Sequence, residues 1–219
     1  MTKNELYDLL DEMTPPDKIM GMLDAPKWHF WRREKRVNGN EIFQLIREYI
    51  EQKTGRSDTK LRENAYWVLA KCLLRTMKPE YCQFLIDRLQ VETSKYVLYS
   101  ILTGISRMKL PADLDLSPVV VCSKSNEWLV RHSAIDALGQ CDTDSSRAAI
   151  RYWVRQENEK QHQYEIIYAN AALGSIGEPS DIELLERHTH SGIRDVKDSA
   201  SYAINQIYRR FGMIPHVEK

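Results

Sequence analysis

No apolar run in this chain approaches the ~20 residues needed to cross a bilayer. Its opening stretch, Met-Thr-Lys-Asn-Glu-Leu-Tyr-Asp-Leu-Leu-Asp-Glu, mixes charged with apolar side chains and has no secretory-signal core. An excess of one charge is also missing: lysine plus arginine number 31, and so do aspartate plus glutamate. A surface adapted throughout to a nucleic-acid backbone needs a basic excess, so the balance argues against a nucleic-acid partner while leaving room for a local basic patch. The four cysteines, Cys72, Cys82, Cys122 and Cys141, make no CxxC pair and no tight Cys/His cluster. They read as buried free thiols in a reducing cytoplasm. There is no alternating strand pattern of useful length, no Gly-rich phosphate loop and no GxSxG. The expectation is an all-α, cytoplasmic protein with no membrane contact, cofactor or metal.

What is present is one helical phrase written about five times. Leu61-Arg-Glu-Asn-Ala65-Tyr-Trp-Val-Leu69, Val130-Arg-His-Ser-Ala134-Ile-Asp-Ala-Leu138, Glu165-Ile-Ile-Tyr-Ala169-Asn-Ala-Ala-Leu173 and Val196-Lys-Asp-Ser-Ala200-Ser-Tyr-Ala-Ile204 share one pattern. Tyr96-Val-Leu-Tyr-Ser100-Ile-Leu-Thr-Gly104 is a weaker copy. Anchored on their small residues, at 65, 100, 134, 169 and 200, the copies are 35, 34, 35 and 31 residues apart. A period in this range marks stacked helix pairs. Apolar or small residues recur at −4, 0, +3, +4 and +7 from each anchor, the stripe of a helix with 3.6 residues per turn. Small residues at 0 and +3 let a neighbouring helix approach closely.

A second apolar-periodic segment precedes each copy: Glu41–Gln52, Glu80–Leu89, Leu114–Cys122, Ser145–Arg155 and Ser180–His188. Breakers divide them, among them Thr54-Gly55, Lys78-Pro79, Pro111, Gly177-Glu-Pro179 and Ser191-Gly192. Residues 1–39 lack the repeat and predict three short helices, about 3–12, 17–24 and 27–36, forming an N-terminal cap over the first apolar face. The predicted organisation is therefore a cap at 1–39, repeats at 40–212 and a tail at 213–219.

Asn126-Glu-Trp128-Leu-Val130-Arg131-His-Ser-Ala134-Ile-Asp-Ala137-Leu138-Gly139 resembles the second helix of a HEAT-type repeat, in the flavour first recognised in phycobilisome lyases. Tyr168-Ala-Asn-Ala-Ala-Leu-Gly-Ser-Ile-Gly177 and the segment after it match the same pattern. The resemblance covers roughly residues 40–210 and implies a right-handed α-α superhelix of about five HEAT-like helix pairs. It also implies that the second helices line a concave face. Its motif consists mostly of packing residues, so it bears on fold more than on function.

If −4, 0, +3, +4 and +7 point inward, then −5, −2, +2 and +5 face the groove. That face reads Glu63 and Trp67; Lys95, Leu98, Leu102 and Ile105; Leu129, His132 and Asp136; Tyr164 and Ile167; Asp195, Asp198, Tyr202 and Asn205. Apolar and aromatic residues here stand where a solvated helix would carry Lys and Glu, which predicts a binding surface. Asp136, Asp195 and Asp198 favour a partner with some positive charge. The expected function is a non-enzymatic scaffold that binds a protein partner through this face. A sharper version is an inhibitor, such as a bacterial immunity protein that neutralises a cognate toxin.

HEAT-like relatives carry three chemistries whose residue signatures can be sought in this sequence. Deoxyhypusine hydroxylases bind iron through His-Glu dipeptides, and none of the six histidines here precedes Glu. His188-Thr-His190 diverge by about 200° on a helix and read as helix-end residues, not metal ligands. A DNA-glycosylase-like reading draws on Trp67, Trp128 and Asp136, but the predicted groove is not basic. A phycobilin-lyase-like chromophore-attachment role has the repeat flavour and no identifying residue. Lys27-Trp28-His-Phe-Trp31-Arg32-Arg33-Glu-Lys35-Arg36 interleaves aromatics with basic residues. It reads as a cap helix with solvated charges, or else as a nucleic-acid contact.

Overall fold

The computed structural model describes residues 2–12, 39–76 and 78–213, with the side chains of 39, 40 and 72–76 left aside. The helices predicted at 17–24 and 27–36, the aromatic and basic run 27–36, and the tail beyond Met213 lie outside the described residues.

Among the described residues every regular element is helical. In chain order these are α1 (Lys3–Glu12), α2 (Gly39–Gln52), α3 (Thr59–Thr76), α4 (Pro79–Arg88), α5 (Lys95–Ile105) and α6 (Ser117–Cys122). There follow α7 (Trp128–Leu138), α8 (Asp144–Val154), α9 (Gln163–Ile176), a 3-10 turn (Pro179–Asp181), α10 (Ile182–Thr189) and α11 (Arg194–Phe211). The breakers act as chemistry dictates. Pro79, Pro118 and Pro179 sit in first turns, where the missing N–H has no helical partner to lose. Thr143 caps α8 by accepting from the Ser146 N–H at 3.2 Å. Gly212 closes α11 at φ 63°, a left-handed conformation that a Cβ would penalise.

Helices α3, α5, α7, α9 and α11 pack on one another in chain order, and each also packs on the helix before it. The row formed by α4, α6 and α8 touches far more loosely. Small residues make the tight row possible. A methyl group at Gly104 would stand 2.5 Å from the Ala70 Cβ, and one at Gly174 would stand 3.0 Å from the Ala203 Cα. Alanine or glycine at these crossings brings backbones together and leaves the flanking Leu, Ile and Val to fill the core. Helix α1 lies against α2 and α3 with Leu6 and Leu10 fully buried. Cys82, Cys122 and Cys141 are buried free thiols. Among the described residues no helix is long and apolar enough to cross a membrane.

Arginines tie successive segments together. The Arg62 Nε donates to both carboxylate oxygens of Glu92 at 3.1 Å, while its Nη1 donates to the carbonyls of Lys53 and Gly55. Arg151 holds Asp181 in a two-pronged pair, at 2.6 and 2.9 Å. Each guanidinium satisfies loop carbonyls or a carboxylate that would otherwise be desolvated without a partner.

One predicted register is corrected. Leu102 and Ile105, assigned to the groove face, are 0 % and 1 % exposed and belong to the core. Val97, Ile101, Ile105 and Met108 are buried on α5 and just beyond it. These are −4, 0, +4 and +7 from an anchor at 101, not 100. With that anchor Gly104 falls at +3, where the other copies carry Val68, Ala137, Ala172 and Ala203. A slip of one residue turns a helix face by about 100°, which carried Leu102 and Ile105 from core to groove on paper.

Candidate functional site

The tight row carries a series of exposed aromatic residues, and Tyr96, Tyr99, Tyr164 and Tyr202 among them fall at its outward positions once the register is corrected. Tyr96 and Tyr99 on α5, Trp128 on α7, Tyr164 and Tyr168 on α9, and Tyr202 on α11 are all exposed. Trp128 and Tyr164 are each 61 % exposed, far more than their apolar area would favour without a partner. Sequence reasoning placed Tyr164 and Tyr202 here, used Trp128 only in the glycosylase comparison, and omitted Tyr96, Tyr99 and Tyr168. Re-anchoring the weak copy on Ile101 would have recovered the two α5 tyrosines, which then fall at −5 and −2.

The centre of the patch is built around His132. Its ring lies 5.2 Å from Tyr168, nearly parallel to it, 5.6 Å from Trp128 and 5.9 Å from Tyr164. The imidazole itself is buried beneath these rings. Trp128 is one turn before His132 on α7, and Tyr164 and Tyr168 are one turn apart on α9, so helical spacing alone aligns them.

Beneath the rings lies a polar foundation. Glu165 accepts from Arg131 Nε at 2.7 Å and from His132 Nε2 at 3.1 Å. Arg131 also donates through Nη1 to the Ser125 carbonyl at 2.6 Å, pinning the loop before α7, and its guanidinium lies over the Trp153 ring. Burial pushes the Glu165 carboxyl up, but hydrogen bonds from its own backbone N–H, Arg131 and His132 outweigh this and hold it below the usual carboxylate range. Burial dominates at His132 and lowers its proton affinity against the pull of Glu165. The arrangement is therefore an ionised Glu165, paired with Arg131, accepting a proton-bearing Nε2 from a neutral imidazole. It fixes the His132 ring as a rigid base for the aromatic rings above.

The remaining predicted positions divide. Asp136 and Asp198 are exposed, as are Asp195 and Asn205. Asp198 lies 3.5 Å from Arg194. Asp136 keeps contact with solvent, yet the protein around it desolvates its carboxyl and raises its proton affinity, against opposing pulls from Ser106 and Arg107. Lys95 is half-buried and paired with Glu127 at 3.1 Å. Trp67 and Leu98 are half-buried against the core, the Lys71 ammonium lying over the Trp67 ring. Glu63, Leu129 and Ile167 are half-buried. His188 and His190 stand at the end of α10, but His188 turns inward, between the Glu159 carboxylate at 2.8 Å and the Val154 carbonyl at 2.7 Å.

No known family's sequence profile matches the chain, and no curated protein sequence matches it. Among solved structures it is similar to the crystal structure of an engineered protein from the Northeast Structural Genomics Consortium. That similarity has a TM-score of 0.53 and 17 % identity, covering 97 % of this chain and 100 % of the other. At this identity the likeness bears on the fold alone.

Proposed function

We propose that the protein is a non-enzymatic HEAT-like scaffold, a right-handed superhelix whose concave face binds a protein partner. The tight row α3, α5, α7, α9 and α11 forms the inner side in this reading. Close backbone crossings there and loose contacts between α4, α6 and α8 favour curvature toward it. The single observation that carries the binding role is the row of exposed aromatic rings from Tyr96 to Tyr202 on that side. Tyr and Trp give large contact area with few rotatable bonds, which is why they dominate the energetics of protein interfaces. Exposed Asp136, Asp195 and Asp198 favour a partner carrying basic side chains among its apolar ones.

The test is capture from a lysate of the source organism at moderate salt after nuclease treatment, comparing wild type with Trp128→Ala/Tyr164→Ala. The proposal requires a stoichiometric protein band that the double variant loses while keeping its helical circular-dichroism signal. Absence of a protein band, with nucleic acid recovered when nuclease is omitted, overturns it.

A further inference from the structure

The opposite row carries a second surface feature. Helix α6 has six residues, against 11 in its neighbour α8, and Ser145, Ala148 and Tyr152 of α8, with Arg155 just beyond it, stay exposed. Between them lies a trough of about 980 Å³ that opens to solvent. Leu116, Val120, Val121 and Ala149 contribute its apolar lining. Val121 is 72 % exposed, on a surface position where valine gains nothing from water.

The charges are placed asymmetrically. Short loops on either side of α7 make α6 and α8 run parallel, and the Lys124 ammonium, just beyond α6, lies 5.5 Å over the ring of Tyr152 near the end of α8. Lys124 and Arg155 therefore share one end of the trough. Neither forms an ion pair with a carboxylate among the described residues. The acidic residue of the lining, Asp115, belongs to the opposite end, where its carboxylate caps the Ser117 N–H at 2.9 Å.

We propose that this trough docks an amphipathic helix of a partner protein, with acidic side chains at the end that meets Lys124 and Arg155. An open trough buries one face of its occupant only. The occupant must satisfy its own backbone N–H and C=O groups and keep its other face polar, which an amphipathic helix does and an extended peptide does not. Eleven residues of α8 span roughly 16 Å, the length of three helical turns. The two unpaired cations select the sign of the charge, since a basic helix would bring like charges together at that end. This site lies on a different row from the aromatic face and stands or falls separately.

The probe is a displayed library of amphipathic 14-residue helices whose positions bordering the apolar face vary among Glu, Lys and Gln, selected against the full chain. Enriched helices should be Glu-rich at one end. Measured by fluorescence anisotropy, their affinity should fall at least ten-fold on Lys124→Glu/Arg155→Glu and on Val121→Glu, and hold on Trp128→Ala/Tyr164→Ala. Val121 and both cations are at the surface, and unchanged thermal midpoints would establish that these variants fold. No enrichment, enrichment indifferent to charge, or undiminished binding to Val121→Glu overturns the proposal.

Discussion

Truncating Leu102 to alanine tests the register of α5 directly, because an anchor at 100 puts Tyr96 in the core and Leu102 outside, whereas an anchor at 101 puts Tyr96 outside. Leu102 is 0 % exposed, in the single apolar cluster that runs from α1 to α11. Deleting the buried isobutyl end of a leucine removes its transfer free energy and leaves a cavity, together about 2–5 kcal/mol. Tyr96 is exposed, so Tyr96→Ala should shift stability by no more than about 0.5 kcal/mol. For a chain of this size each kcal/mol moves the thermal midpoint by about 2–4 °C. A loss of ~3 kcal/mol at Leu102 therefore appears as a fall of roughly 6–12 °C, against a barely measurable change at Tyr96. Urea unfolding followed by circular dichroism should show a lower midpoint for Leu102→Ala with an unchanged slope. A larger loss for Tyr96→Ala than for Leu102→Ala would refute the assignment of the anchor to Ile101 and return Leu102 to the surface.

Three further outcomes are expected. Arg131→Met leaves the buried Glu165 carboxylate without its main partner and should cost about 3–5 kcal/mol in urea unfolding, whereas Arg131→Met/Glu165→Leu should recover most of it; equal losses in the two variants contradict the pairing. Gly174→Val forces a branched side chain against the Ala203 backbone and should cost ~1–3 kcal/mol, while Gly192→Ala, with nothing within 4 Å, should be nearly silent in the same assay. Acid should destabilise in two stages. His132 has a lowered folded pKa, so the unfolded chain takes up the proton first and stability falls as pH drops below ~6.5 toward the folded value. Glu165, also lowered, contributes stability that is intact above ~4.3 and lost as pH falls through its folded value. His132→Gln should flatten the upper stage of the urea-midpoint profile and leave the lower one; an unchanged profile rules out His132 as its source.

The helical segments were legible because their patterns are strong. Val130, Ala134, Ala137 and Leu138 on α7, and Cys141 just beyond it, define one stripe, and all five are buried. Proline at 79 and 179 marked helix starts by removing a donor that a strand or mid-helix would need, whereas Pro118, inside the predicted segment Leu114–Cys122, delays that helix to Ser117. The copy around residue 100 was the exception. Val97, Leu98, Ser100, Ile101, Leu102 and Ile105 surround α5 with apolar or small side chains, so its periodicity is nearly flat and two registers fit equally well. The packing of Gly104 on Ala70 chooses between them.

The sequence alone determined that the chain is helical, where most helices begin and end, and which residues are small enough for backbones to cross. These follow from spacing and local sterics, which act within a few residues. Tertiary structure decided which face of each helix meets water. It also decided that His132 lies beneath three aromatic rings on Glu165, 33 residues along the chain and paired with Arg131, and that a short α6 leaves one face of α8 exposed. Those features depend on how neighbouring helices are rotated and on how far one reaches past the next. No pattern within a single helix carries that information.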